Sequence, residues 1–145
     1  VQDQMIRQTP TAAVDPNDPD SSQEMQLAWD QWHQKVAESI YFKFNALAKT
    51  AFARSRSRLA CRVAYTVNRN HQLGNIRMLQ NSPNLIFNTM VYGVLKSMNN
   101  NQLLEFPMGS RRMTVEKTGT FLWNFQMDGY KYQTNDRETI QQRQR

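Results

Sequence analysis

The sequence has little cysteine, histidine, glycine and proline, and each shortage narrows what the protein can be. The 145 residues include one cysteine, two histidines, five glycines and five prolines. The single thiol, Cys61, excludes an intrachain disulfide and any metal site built from several thiolates. Few glycines and prolines, with 39% hydrophobic residues, indicate an ordered core with polar flanks. We find neither an apolar run long enough to cross a bilayer nor a signal peptide, and expect any anchor to lie upstream of Val1.

The residues that enzymes use for catalysis are equally scarce. The carboxylates are too scattered to form an acid–base pair, and the sequence has neither a glycine-rich phosphate loop nor a G-x-S-x-G turn. His33 has no partner at metal-ligand spacing, so we expect it to be solvated, and we expect His71 to be a turn residue. Cys61 is predicted to be a buried, inert thiol. The sequence therefore predicts no catalytic residue, no metal site and no cofactor.

The charge is basic overall but unevenly distributed. The chain carries a net charge of +6, whereas residues 1–24 contain one arginine against five acidic residues, which leaves +10 on the remainder. A basic body favours an anionic partner, whether nucleic acid, lipid headgroups or an acidic protein. The candidate basic patch is either a phosphate-binding stripe or a solvated connector, and it consists of Arg54, Arg56, Arg58, Arg62, Arg111 and Arg112.

Composition divides the chain into three parts. Residues 1–20 contain three prolines and four aspartates and have no apolar periodicity, which predicts a disordered acidic linker. Residues 21–126 carry the periodic apolar positions of one folded domain. Residues 127–145 contain four glutamines, three arginines and one lysine, and we expect a polar basic tail with at most a short helix.

A long amphipathic helix is predicted to open the domain. Ser21 and Glu24 have the spacing of a capping box, in which each side chain satisfies a free backbone N–H. The apolar residues that follow recur every three or four positions up to about Phe52 and share one face: Trp29, Trp32, Val36, Ile40, Phe44 and Leu47. The two tryptophans are either core residues or a partner-binding anchor. We expect both to pack on the sheet, with Trp29 the more exposed.

The sequence of the rest of the domain predicts a hairpin, a second helix and a final strand. Apolar residues alternate with other residues over positions 59–67, which predicts the first strand. A second strand is predicted at 72–80, and its alternation of apolar residues is interrupted near Gly74 and Asn75, which indicates a bulge. Ser82 and Pro83 are typical of a helix start, and the helix is expected to stop at residues 99–101. Alternation returns from Met113 to Phe125.

These elements predict an α+β fold, a three-stranded antiparallel or mixed sheet covered on one face by two helices. The second and third strands run parallel because a helix connects them, and the first strand lies between them. The third strand is then an edge that can accept a partner strand, with Lys117 limiting self-association. The predicted partner-binding edge consists of Met113, Thr114, Val115, Glu116, Lys117, Thr118, Gly119, Thr120 and Phe121.

Residues 30–125 resemble a known family. The similarity is carried by the runs Arg62-Val63-Ala64-Tyr65-Thr66-Val67 and Leu73-Gly74-Asn75-Ile76-Arg77-Met78-Leu79, by Asn81-Ser82-Pro83 and Phe87-Asn88, and by Phe106-Pro107 before the last strand. In these residues and in its element order, the chain is similar to the C-terminal periplasmic domain of the TolA and TonB energy transducers. Its long first helix with Trp29 and Trp32 is closer to TolA.

The resemblance implies a non-catalytic interaction domain in the periplasm, held by an inner-membrane anchor and a linker. It implies partners among periplasmic, outer-membrane, phage or colicin proteins, bound by strand addition, and it supplies no nucleic-acid partner. Two alternatives remain open on the residues alone. The basic stretches suit a nucleic-acid-binding module, and the edge strand suits a permanently paired subunit of an envelope or secretion assembly.

Overall fold

The computed structural model describes residues 19–124, 126–134 and 138–144. The fold is α+β, with helices and short 3₁₀ turns accompanying an antiparallel sheet. In chain order the helices and strands are α1 (Gln23–Ala51), β1 (Leu59–Asn68), β2 (Leu73–Gln80), α2 (Leu85–Ser97), β3 (Thr114–Trp123), β4 (Met127–Thr134) and β5 (Glu138–Gln144). The predicted linker lies outside the described residues except for its end, since Pro19–Ser21 forms a 3₁₀ turn.

Helix α1 buries the apolar stripe that the sequence predicts. Trp29, Trp32, Val36, Ile40 and Phe44 are all buried, whereas Leu47 is half exposed. The helix begins one residue later than predicted, because the Ser22 side chain, not that of Ser21, accepts the hydrogen bond from the backbone N–H of Met25 at 3.1 Å. Phe52 is the C-cap, as the periodicity predicts.

The hairpin of β1 and β2 forms as predicted, with local conformations that the residue types explain. His71 takes the positive φ of the turn, 65°, and its N–H donates to the Asn68 carbonyl at 3.2 Å. A register shift lies between Ala64 and Thr66 where Asn75 has a φ of 53°, which places the expected bulge. Asparagine tolerates this left-handed conformation better than most residues.

Helix α2 begins at a different cap from the predicted Ser82. The Asn84 side chain accepts from the N–H of Phe87 at 3.0 Å. Ser82 instead exchanges hydrogen bonds with the buried Asn88, whose side-chain oxygen accepts from the Ser82 N–H at 2.8 Å. Met98 caps the other end, and Asn100, at φ 68°, turns the chain out of the helix.

The sheet has five strands in the order β2-β1-β3-β4-β5, so the predicted three-stranded sheet is wrong. The central position of β1, antiparallel to both β2 and β3, is confirmed. The predicted edge at residues 113–121 is not an edge, because β3 pairs with β1 on one side and, from Lys117 to Trp123, with β4 on the other. Only Thr114–Glu116 lies beyond the β4 pairing.

The predicted polar tail is also wrong, since residues 127–134 and 138–144 form β4 and β5. Tyr130 and Tyr132 of β4 are buried and stack at 5.9 Å between ring centroids. The carboxylate of Asp128 is fully buried and accepts hydrogen bonds from Tyr41, at 2.9 Å, and Asn45 on α1. Tyrosines and one buried acid therefore join this polar segment to the core.

The sheet has one covered face and one open face. Alternate residues of β1 and β3 point toward the helices and are buried: Leu59, Cys61, Val63, Tyr65, Val67, Val115, Lys117, Gly119, Phe121 and Trp123. Phe44 of α1 packs edge-on against Phe121 and against Phe87 of α2. The intervening residues form the open face, where most side chains are small or polar and partly exposed; Ala64 is buried and Leu122 is apolar.

Asp20 connects the start of the described chain to this core. Its carboxylate accepts hydrogen bonds from Trp29 Nε1 at 2.9 Å, from the backbone N–H of Arg111 at 2.8 Å and from the Ser110 hydroxyl. Burial raises the pKa of Asp20, but these hydrogen bonds outweigh it and leave the pKa lowered. The acidic segment therefore enters the domain at a defined point.

Gly119 generates a stability prediction, because a Cβ there would lie 2.6 Å from Cε1 of the buried Tyr130. We expect Gly119→Ala to destabilise the protein by about 1–3 kcal/mol, since the Tyr130 ring must move within a packed core. Gly93→Ala is the matched control. A Cβ there meets nothing within 4 Å in the exposed middle of α2, and alanine should stabilise the helix by up to about 1 kcal/mol.

Urea unfolding of the two variants measures both effects as shifts of the midpoint in opposite directions. Equal midpoints for Gly119→Ala and Gly93→Ala would contradict the close packing of β3 against Tyr130.

Candidate protein-interaction surface

The free edge of the described sheet on the hairpin side is β2. It is the first strand in the sheet order and pairs with β1 alone. Its sequence, LGNIRMLQ, contains no proline that would interrupt backbone pairing. Because an unpaired flank presents backbone N–H and C=O groups, β2 offers a template for a further strand.

The first half of β2 is protected against such pairing. The backbone N–H of Leu73 donates to the Asn99 side chain at 3.0 Å, and Arg77 Nε donates to the carbonyl of Asn75 at 3.3 Å. The bulge at Asn75 also bends this half. A partner strand would therefore pair with the second half, residues 76–80, which carries a register shift of its own between Met78 and Gln80.

Exposed apolar side chains adjoin this second half. Leu79 in β2 is 50% exposed, and Leu85 and Ile86, in the first turn of α2, are 77% and 69% exposed. Only residues 81–84 separate the end of the strand from that turn. Apolar surface beside an open backbone edge is the combination that strand-addition partners use for affinity and specificity. We call Ile76–Gln80 with Leu85 and Ile86 the β2 edge surface.

The predicted basic patch does not form one surface. Arg54, Arg56 and Arg58 precede β1 at Leu59, whereas Arg111 and Arg112 lie at the opposite end of that strand, where Asn68 pairs with Thr114. Ten residues of strand separate the two groups by about 30 Å. Arg112 lies over the Trp29 ring at 4.6 Å, and its carbonyl accepts from Arg69 at 2.7 Å.

The open face gathers a different set of basic residues around Arg62. Arg62 is opposite Thr120, and Thr120 is opposite Lys131. Arg77 is opposite Ala64, which lies two residues after Arg62 on the same face of β1. Strands lie about 5 Å apart, so Arg62 and Lys131 are about 10 Å from each other. Beside them is a shallow depression lined by Ala64, Arg77, Glu116, Lys117, Thr118, Gln133 and Thr134.

The other residues singled out from the sequence belong to the core. Trp29 is 2% and Trp32 5% exposed, so both pack in the core and the expectation that Trp29 is the more exposed is wrong. His33 is buried, contrary to the prediction, and its ring stacks on Tyr132 at 5.9 Å. Cys61 is buried as expected, and burial raises its pKa to about 12. His71 lies in the turn, 3.8 Å from Glu105.

Lys117 occupies the core instead of a strand edge. It is 2% exposed, and its Nζ lies 4.5 Å from the ring centroid of Tyr132, 5.3 Å from Trp32 and 5.9 Å from Tyr65. Burial lowers the pKa of Lys117 to about 7, although ring faces favour the ammonium and offset part of that cost. Its position on the buried parity of β3 was the signal in the sequence that could have placed it.

Two buried tyrosines lie in the same cluster. The hydroxyls of Tyr65 and Tyr130 hydrogen-bond to each other across the core. Burial raises the pKa of both groups, which keeps both phenols neutral. Together with Trp32, His33, Lys117 and Tyr132 they form the buried polar–aromatic cluster between α1 and the sheet.

Comparisons with known proteins assign no family. No protein-family profile, no curated protein and no solved structure matches this chain. Over the described ranges, no group of three or more His, Cys, Asp or Glu side chains could hold a metal ion. The helices in those ranges include none long and apolar enough to span a membrane.

The burial of Lys117 generates a prediction about pH. The unfolded chain holds the lysine proton up to a pKa near 10.5, whereas the folded chain loses it near 7. Below pH 7 the fold therefore bears the full free-energy cost of burying the Lys117 ammonium. This cost disappears as the pH rises to about 10.5. We expect Lys117→Met to add about 3 kcal/mol of stability at neutral pH, since methionine fills the space without a charge.

Urea unfolding between about pH 7.5 and 9.5 tests this prediction, because wild-type stability should gain up to about 1.4 kcal/mol per pH unit relative to Lys117→Met. Lys131→Met, on the exposed side of β4, is the matched control and should keep the wild-type slope. Parallel slopes for wild type and Lys117→Met would show that Lys117 is solvated.

Proposed function

We propose that this chain is a non-catalytic protein–protein interaction domain that captures partners by strand addition at the β2 edge surface. The observation that carries the proposal is a sheet edge without a strand partner in the described structure, flanked by exposed Leu79, Leu85 and Ile86. The edge predicted from the sequence, residues 113–121, cannot serve over most of its length because β4 occupies it.

The β2 edge surface suits an extended peptide. Backbone groups of residues 76–80 would pair with the peptide, which supplies affinity independent of sequence. Leu79, with Leu85 and Ile86 from the next element, would contact alternate apolar side chains of the peptide and supply selectivity. The capped first half of β2 limits pairing to a short segment, which favours reversible capture over permanent assembly.

We further propose that the domain belongs to a TolA- or TonB-like energy-transducing system of the cell envelope. The support is the resemblance in residues 30–125, together with the strand order β2-β1-β3 and two helices on one sheet face. On this proposal the domain works in the periplasm on periplasmic or outer-membrane proteins, tethered by an inner-membrane anchor. The acidic residues before Asp20 would be the end of its linker.

The nucleic-acid alternative has one supporting observation, the group of Arg62, Arg77 and Lys131 on the open face. The described part of this face carries no aromatic side chain on which bases could stack, because its strand positions hold mainly Thr, Ala and charged residues. Protein capture at the β2 edge surface is therefore the better supported function.

Peptide capture can be tested with 12-residue peptides selected against the chain from a random phage-displayed library. We expect the selected peptides, titrated into the ¹⁵N-labelled protein, to shift the amide signals of residues 76–80 and 85–86. Leu79→Glu should weaken binding about tenfold, since an apolar contact is replaced by a charge beside the edge.

Leu47→Glu on α1 is the control, because Leu47 and Leu79 are both 50% exposed. It should bind the peptides as wild type does. The proposal fails if the selected peptides shift signals elsewhere, or if the two substitutions weaken binding equally.

A further inference from the structure

The buried polar–aromatic cluster contains donors that lack acceptors. Lys117 Nζ and Trp32 Nε1 are fully buried, and neither has a hydrogen-bond partner within the described chain. Buried polar groups are almost always paired, so each such atom points to a missing water or ion. The two groups are neighbours, since Nζ lies 5.3 Å from the centroid of the Trp32 ring.

The tyrosine pair adds a further hydrogen-bond donor to these unpaired donors. In the Tyr65–Tyr130 hydrogen bond one hydroxyl donates and the other accepts, which leaves the proton of the accepting hydroxyl unused in the pair. The tryptophan N–H and the lysine ammonium are donors only. A water molecule would bring two donors with its two acceptors, whereas an anion brings acceptors alone.

We propose that Lys117 Nζ and Trp32 Nε1 bind a small inorganic anion of halide size in the core between α1 and the sheet. The rings of Tyr65, Tyr132 and Trp32 lie around the ammonium, and the anion completes its surroundings with the opposite charge. A charge pair in an interior of low dielectric constant is far more favourable than an ammonium alone.

Among the side chains that the structure describes, no carboxylate contacts Lys117 Nζ. In the core, the titratable side chains around it are His33 from α1, Tyr65 from β1, and Tyr130 and Tyr132 from β4. Arg77 and Glu116 line the open-face depression that Lys117 also borders. Asp128, the buried acid on β4, is held by Tyr41 and Asn45. The anion should therefore bind when Lys117 is protonated and leave as the pH rises.

Thermal unfolding of the full chain in sodium chloride and in sodium gluconate at equal concentration tests the site, because gluconate is a far larger anion than the halide proposed here. At about pH 6 and 300 mM salt we expect the melting temperature to be higher in chloride by about 5 °C, with a saturable dependence on chloride. The difference should shrink at about pH 9, which lies above the lowered pKa of Lys117.

Lys117→Met should abolish the difference in melting temperature between chloride and gluconate. Trp32→Phe, which keeps a ring but removes the N–H, should reduce this difference. Lys131→Met should retain it, and Lys117→Met also corrects for general salt effects. Equal melting temperatures in the two salts, or a difference that persists in Lys117→Met, overturns the site. Should Lys117→Met not fold, crystals of the wild type in bromide decide, by an anomalous peak beside Nζ or its absence.

Discussion

The continuous ladder between β1 and β3 is the constraint on which the rest of the structure depends. Ten residues of each strand, Leu59–Asn68 and Thr114–Trp123, pair without a bulge. A shift of one residue would turn every side chain of a strand to the other face. The register therefore fixes which residues lie under α1, including Phe121 and Trp123, and it also places Lys117 in the core.

Two consequences of this ladder bear on function. Because β1 lies between β2 and β3, and β4 pairs with β3, the free flank on the hairpin side belongs to β2, where exposed leucine and isoleucine side chains lie nearby. Because both helices cover the inner face, the outer face stays open and collects Arg62, Arg77 and Lys131 across neighbouring strands. Stability and the proposed partner capture thus use different parts of one sheet.

The local elements could be predicted from the sequence because their signals are local. Helical spacing from Trp29 to Phe44, alternation in β1 and the asparagine-rich turns all depend on neighbouring residues, and the order β2-β1-β3 follows from the crossover helix. Strand β4 could not be predicted, since Asp128 is stabilised by Tyr41 and Asn45, more than eighty residues away in the chain. The burial of His33 depends on the ring of Tyr132 in the same way, whereas the alternation along β3 could have placed Lys117 in the core. Because β4 was not predicted, β3 was expected to be a free edge, and the interaction surface was assigned to β3 instead of β2.

Amide hydrogen exchange of the full chain, followed residue by residue, tests most directly that β3 is interior and β2 is the free edge. The structure predicts slow exchange at consecutive amides from Lys117 to Trp123, because this part of β3 is bonded on both sides. In residues 76–80, the amides that point away from β1 should exchange rapidly. Alternating fast and slow exchange along residues 117–123, with uniform protection of 76–80, would contradict the account.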